Sequence, residues 1–142
     1  MSDAPEKLDV PAIQAIFDRS AMISFMGLKA ETVDYDAMVF TARMPLRDEL
    51  ARGVGTGQFH GGAIAAFIDT VGDFAVGMMV GGGVPTTNMR VDYMRPAINT
   101  DLIGIATVRR MGRSIAVVDI DVTNEDGKLL AIGRANYVPK TG

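Results

Sequence analysis

Residues 58–80 read QFHGGAIAAFIDTVGDFAVGMMV, a His-Gly-Gly step followed by an apolar run whose only charged residues are Asp69 and Asp73. Glycines at the start of a helix leave backbone N–H groups unpaired and uncovered by side chains, at the end where the helix dipole is positive. Gly61 and Gly62, beside His60, could therefore hold an oxyanion; the plainer use of such a pair is a close turn into the helix. The surrounding GVGTGQFHGG is not a phosphate loop, because no Lys-Ser or Lys-Thr follows the glycines and their spacing does not give the dinucleotide fingerprint. His60 is the chain's single histidine, which excludes a multi-histidine metal centre, and no Gly-x-Ser-x-Gly signature supplies a nucleophile for a triad. It either caps the helix start or touches a substrate.

Asp69 asks for a different explanation. A carboxylate within a helix that is apolar all round costs stability unless it is paired, so it has either a hydrogen-bonded structural role or a chemical one. Asp73 follows one turn later on the same face. As a metal pair the two lack a third acid or a second histidine at ligand spacing, and Asp73 is expected to face water where the helix emerges. Gly61 and Asp69 are eight residues apart, which is about 12 Å along a helix. One helix cannot bring both to one carbonyl. Two copies packed antiparallel about a twofold axis would, and an enzyme built this way would share its site between subunits.

The elements that must position these groups follow from periodicity. From Ala63 to Val80 the chain is barely long enough to cross a bilayer, and two acids near its middle make that costly. Apolar residues on every side of the wheel (Ile64, Phe67, Ile68, Val71, Phe74, Val76) describe instead a helix surrounded by protein, ended by Gly81-Gly82-Gly83. An amphipathic helix is expected over 11–27, from Pro11 to Gly27. Two strands turn around Asp34–Asp36, and four more follow the long helix, the last two joined at Asn124–Gly127. The fold class is α+β: an antiparallel sheet wrapped around one long central helix, with an N-terminal helical segment over 1–27 and a single domain over 28–142. The 142 residues and 48% hydrophobic content fit one domain. A net charge of −3 gives no pull toward nucleic acid, and the absence of cysteine and of a secretory start fits a cytoplasmic protein that uses no membrane.

The stretches FHGGAIAAFIDTVG, TTNMRVDYMRPA and VRRMGRSIAVVDIDVTNEDGKLLAIGRANY resemble the hotdog-fold acyl-CoA thioesterases of the phenylacetate-degradation, PaaI-like family, over roughly residues 28 to 138. The resemblance implies hydrolysis of an acyl-CoA to a free acid and CoA, without cofactor or metal. The homo-oligomer it implies is at least a dimer and by expectation a dimer of dimers. It also implies roles: Gly61 N–H polarising the thioester carbonyl with help from His60, Gly62 binding substrate, and Asp69 of the partner subunit acting as general base or as nucleophile. Thr86, seven residues before Tyr93, corresponds to a hydroxyl that places the attacking water. Two positions depart from the pattern. Val54 stands where an Asn or Gln is usual, with Gln58 as the nearest substitute, and Asp73, expected on this resemblance to bind substrate, stands where some relatives carry a hydroxyl. Arg109, Arg110 and Arg113, around a strand-to-strand turn, would meet CoA phosphates or else form an ordinary solvated hairpin. Arg95 is expected to hold its strand end. The alternatives are a non-catalytic acyl-CoA binding or sensing protein and a hydratase on the same fold, for which the spacing of His60 and Asp69 is unsuited.

Overall fold

In the computed structural model, residues 4–141 are described. The amphipathic stretch expected as one helix is two. Helix α1 (Val10–Arg19) is capped by Asp9, whose carboxylate accepts from Ala12 N–H at 3.0 Å, and Pro11 sits in its first turn. Ser20 then leaves helical geometry at φ −79°, ψ 127°, and its hydroxyl accepts from Ile23 N–H. The residue that ends α1 thus caps α2 (Ala21–Met26), because a serine side chain offers the next turn's N–H groups an alternative partner. Gly27 closes α2 in the left-handed region at φ 73°.

Strands β1 (Lys29–Asp34) and β2 (Val39–Met44) form the first hairpin, and a single 3-10 turn at Asp48–Leu50 begins the loop into helix α3 (Gly61–Val80). Four strands follow: β3 (Thr86–Tyr93), β4 (Leu102–Met111), β5 (Ala116–Thr123) and β6 (Leu129–Tyr137). All six pair antiparallel in one sheet, ordered β1-β2-β4-β5-β6-β3. Strand β3 leaves α3 directly but joins the sheet beside β6, so among the described residues its outer edge is unpaired.

Alternation decides which face of the sheet takes the helix. Leu102, Ala106 and Val108 of β4, Val118, Ile120 and Val122 of β5, and Ala131, Ala135 and Tyr137 of β6 all turn inward onto α3 and are buried. Small residues at the centre let the helix approach: a Cβ on Gly104 would lie 2.9 Å from the Phe67 ring, and one on Gly72 would strike the Tyr137 hydroxyl. On another side of α3, Phe17 of α1 meets Phe74 edge-on at 5.0 Å between ring centroids. Ile13, Phe17 and Met26 of the N-terminal helices are buried in the same core as α3. This explains a helix apolar all round, one that by length and composition could cross a membrane but here lies between a sheet and a helix.

Candidate active site

The N–H groups of α3's first turn can be accounted for one by one. His60 is the N-cap, at φ −65° and ψ 138°, and its Nδ1 accepts from Gly62 N–H at 2.8 Å. The His60 carbonyl takes the N–H groups of Ala63 and Ile64, at 3.0 and 3.2 Å. Among the described residues nothing accepts from Gly61 N–H. Gly62, expected to bind substrate, has its N–H engaged by His60, and within this turn Gly61 keeps the one free donor among the described residues. An imidazole accepting at Nδ1 carries its proton on Nε2 when neutral. The His60 main chain is anchored by donating to the Leu50 carbonyl at 2.8 Å.

Clefts open on both sides of this turn. One, of about 310 Å³, is lined by Gly61, Gln58, Ile64, Tyr93 and Met94. The other, of about 240 Å³, is lined by His60, Gly62, Ala63 and residues of α2. Tyr93, at the end of β3, donates its hydroxyl to the Gly61 carbonyl at 2.6 Å. Sequence reasoning used Tyr93 only as a landmark; the signal that could have promoted it is an aromatic at a strand end preceding Arg-Pro. Val54 is 88% exposed and makes no part of either cleft, whereas Gln58 lines the cleft of Gly61 and receives an N–H from Arg52 at 3.2 Å.

The acids lie further along α3. Thr86, the first residue of β3, donates its hydroxyl to Asp69 Oδ1 at 2.7 Å, and the Tyr137 hydroxyl donates to the Asp69 carbonyl oxygen at 2.8 Å. Burial, and then the charges of Asp69 and Asp73, push the Tyr137 phenol far above its ordinary value, so it stays a donor. Asp73 does not face water as expected. Its Oδ1 accepts from Val84 N–H at 2.8 Å, tying the Gly81–Gly83 turn back to the helix. Burial raises its carboxyl to about 7, with the Val84 N–H opposing and the neighbouring charge of Asp69 adding. The expectation failed because the helix does not emerge at Asp73: the chain after Gly81 folds back over it. Among the described residues no group of three His, Cys, Asp or Glu side chains could hold a metal ion.

The three arginines separate. Arg109 lies 3.6 Å from Asp119, which already accepts two hydrogen bonds from Arg134 at 2.6 and 2.9 Å. Those bonds hold the Asp119 carboxyl below its ordinary value against the opposing effect of burial, with the charges of Arg134 and Arg109 adding. Asp119 alternates with the buried Val118 and Ile120, so this cluster is on the outer face of the sheet, away from α3. Arg110 and Arg113 are exposed near the β4–β5 turn and join no ion pair among the described residues. Pairing runs Met111 to Ala116 to Tyr137 to Thr86, which sets that turn at the Asp69 end of the sheet rather than the Gly61 end. Arg95 donates to the Leu129 carbonyl at 2.8 Å and so holds its strand end.

The sequence profile of the thioesterase superfamily matches residues 56–131, which takes in the whole of α3 and the strands through β5. The chain belongs to the thioesterase superfamily. Membership assigns it thioester hydrolysis, and the hotdog fold, a sheet wrapped on one central helix, is the architecture described above. A Halobacterium salinarum protein named "Putative esterase" is 33% identical over 136 residues, 88% of each chain. Human acyl-coenzyme A thioesterase 13 is 33% identical over 95 residues, covering 64% of this chain and 66% of that one. The PaaI protein of the E. coli phenylacetic acid degradation operon superposes with a TM-score of 0.78 over 92% of this chain and 91% of its own; at 22% identity that likeness speaks to the hotdog fold.

Proposed function

We propose that this thioesterase hydrolyses an acyl-CoA to the free acid and CoA, at a site that two copies of the chain complete together. The observation that carries the reading is the single free N–H at Gly61, at the positive end of α3 between two clefts. Such a donor stabilises an oxygen on which negative charge develops as a thioester carbonyl is attacked. Gln58, in the same cleft, supplies the second donor that Val54 cannot.

The acid is Asp69, too far along its own helix to serve its own Gly61, about 12 Å away at helical rise. Strand β3 favours a partner as the remedy. It carries Thr86 beside Asp69 at one end and Tyr93 beside Gly61 at the other, and its outer edge is unpaired. Antiparallel addition of a second β3 about a twofold axis faces the Thr86 end of one chain with the Tyr93 end of the other. Each Gly61 then meets the partner's acid.

In that site Thr86 gives its hydroxyl proton to Asp69 Oδ1, so its own oxygen is left to accept from a water that also donates to Asp69 Oδ2. The water attacks the carbonyl carbon while Asp69 takes its proton, and the oxyanion forms on Gly61 N–H. The C–S bond then breaks, the thiolate leaves with the proton returned by Asp69, and the carboxylic acid remains. Arg110 and Arg113, at the Asp69 end and in no ion pair among the described residues, would meet the CoA phosphates. A thiol-release assay over aryl, short and long acyl-CoA esters tests the reading. Asp69→Asn should lower kcat by about 10²- to 10⁴-fold in a protein that still folds. Turnover near wild type would remove Asp69 from the mechanism, and tight binding without turnover in the native protein would favour an acyl-CoA binding module.

A further inference from the structure

A carbonyl seated on Gly61 N–H carries two arms, acyl and thiol, which leave the carbon in different directions. The first turn of α3 has a cleft on each side, and the two differ in their walls. On the Tyr93 side, Gln58, Tyr93 and the basic Arg95 stand among apolar residues that include Phe59, Ile64 and Met94. On the α2 side, Met22, Phe25, Met26 and Leu50 form the apolar wall, with His60 and the acidic Glu49 as the polar side chains and no basic residue.

Helix α2 builds that second wall from side chains that a helix serving only the core would not display. Met26 is buried, but Met22 is 57% and Phe25 50% exposed on a helix of six residues. Phe25 is braced from behind: the Arg47 guanidinium stacks on its ring at 4.9 Å, with Nε and Nη2 buried and without a hydrogen-bond partner.

We propose that the α2 cleft receives the acyl arm, that this arm is an uncharged hydrocarbon chain of medium length, and that Phe25 and Met22 set that preference. The inference rests on the thioesterase reading given above. Size limits the occupant: about 240 Å³ lies below the roughly 300 Å³ at which pockets hold whole small ligands, so the cleft takes one arm and not a nucleotide. Chemistry limits it further. The thioethers of Met22 and Met26 adapt to a flexible chain, whereas Glu49 opposes a chain ending in a carboxylate, which would be desolvated beside a like charge.

Phe25→Ala, in the full chain, is assayed on acetyl-, hexanoyl- and succinyl-CoA. Each methylene withdrawn from water is worth roughly a factor of four, so the native protein should prefer hexanoyl to both others and Phe25→Ala should cost hexanoyl about tenfold in kcat/KM while acetyl changes by less than about twofold. Equal losses on acetyl and hexanoyl overturn the proposal. A second readout does not depend on turnover. With methyl-labelled methionine and the non-hydrolysable thioether analogue of hexanoyl-CoA, Met22 and Met26 report this cleft and Met94 the other. The analogue should shift Met22 and Met26, and CoA alone should not. A shift of Met94 alone, or no binding, contradicts the assignment. If Met22 and Met26 shift in a protein that hydrolyses none of the esters, the acyl cleft stands and the hydrolase reading falls; turnover with only Met94 shifting is the converse. Dissociation of a native dimer by Phe25→Ala, seen by sedimentation, would give the patch to a second copy and overturn the proposal.

Discussion

Asp73 is where two demands on one carboxylate conflict. Its Oδ1 must stay close to Val84 N–H to fold the turn after α3 back onto the helix, yet that position buries it one turn from Asp69. The native group holds its proton up to about 7, against 3.8 ordinarily. Between those values the native state binds more protons than the unfolded chain, so stability falls as pH rises through the window and levels off above about 7. Asp73→Asn keeps the oxygen that Val84 needs and removes the titration. Its stability advantage over the native protein should widen by on the order of a few kcal/mol between about pH 4 and about pH 8, followed by urea unfolding at one protein concentration. A difference that does not change with pH would mean that Asp73 is not titrating in this range. At the same scale, spacing alone left both glycines of His60-Gly61-Gly62 as candidate oxyanion donors, and only the family resemblance singled out Gly61. That choice is made by the His60 side chain turning to cap Gly62, a rotamer that no spacing encodes.

Helix α3 and the sheet are fitted to each other at Gly72 and Tyr137. A methyl at position 72 would strike the Tyr137 hydroxyl, which is also the donor to the Asp69 carbonyl. Gly72→Ala should destabilise by about 1–3 kcal/mol through overpacking, and Tyr137→Phe alone by about 0.5–1.5 kcal/mol through the lost hydrogen bond. Together they should cost less than their sum, because the second change removes the atom that the first strikes; additive costs in chemical denaturation would show that the helix moves away instead. The order of elements was legible from pattern: amphipathic spacing in α1, an unbroken apolar run in α3 and alternation in the strands, with Gly27, Gly81 and Asn124–Gly127 punctuating them. What periodicity does not carry is tertiary. The break at Ser20 depends on a hydroxyl choosing the next turn, the exit of β3 to the far edge is a matter of pairing, and the cover over Asp73 comes from the chain beyond the helix. The arginine turn was read as one cluster, but a strand alternates its faces and Arg109 is drawn to Asp119.

At the scale of the whole molecule, a net charge of −3 leaves the recruitment of the proposed CoA ester to local patches. Arg110→Ala with Arg113→Ala should raise KM for a CoA ester severalfold or more and leave a short thioester lacking the nucleotide nearly unchanged, since uniform binding energy appears in KM. Equal effects on both would make the arginines structural. The central proposal is that no single chain holds a complete site, and mixed dimers test it most directly. Gly61→Pro deletes the free N–H. It should be tolerated, because proline is favoured at the first helical position, His60 already has the extended backbone that precedes proline, and a Cβ at 61 meets only the Tyr93 ring at an ordinary 3.5 Å. Asp69→Asn deletes the acid. Each variant alone should be nearly inactive, having one part missing from every site. In a mixed dimer one site collects both defects and the other neither. After exchange of equal amounts, confirmed by native mass spectrometry of differently tagged chains, activity should recover to about one quarter of the native level, half the dimers being mixed and half of their sites intact. Verified heterodimers no more active than their two parents would contradict a site shared across subunits.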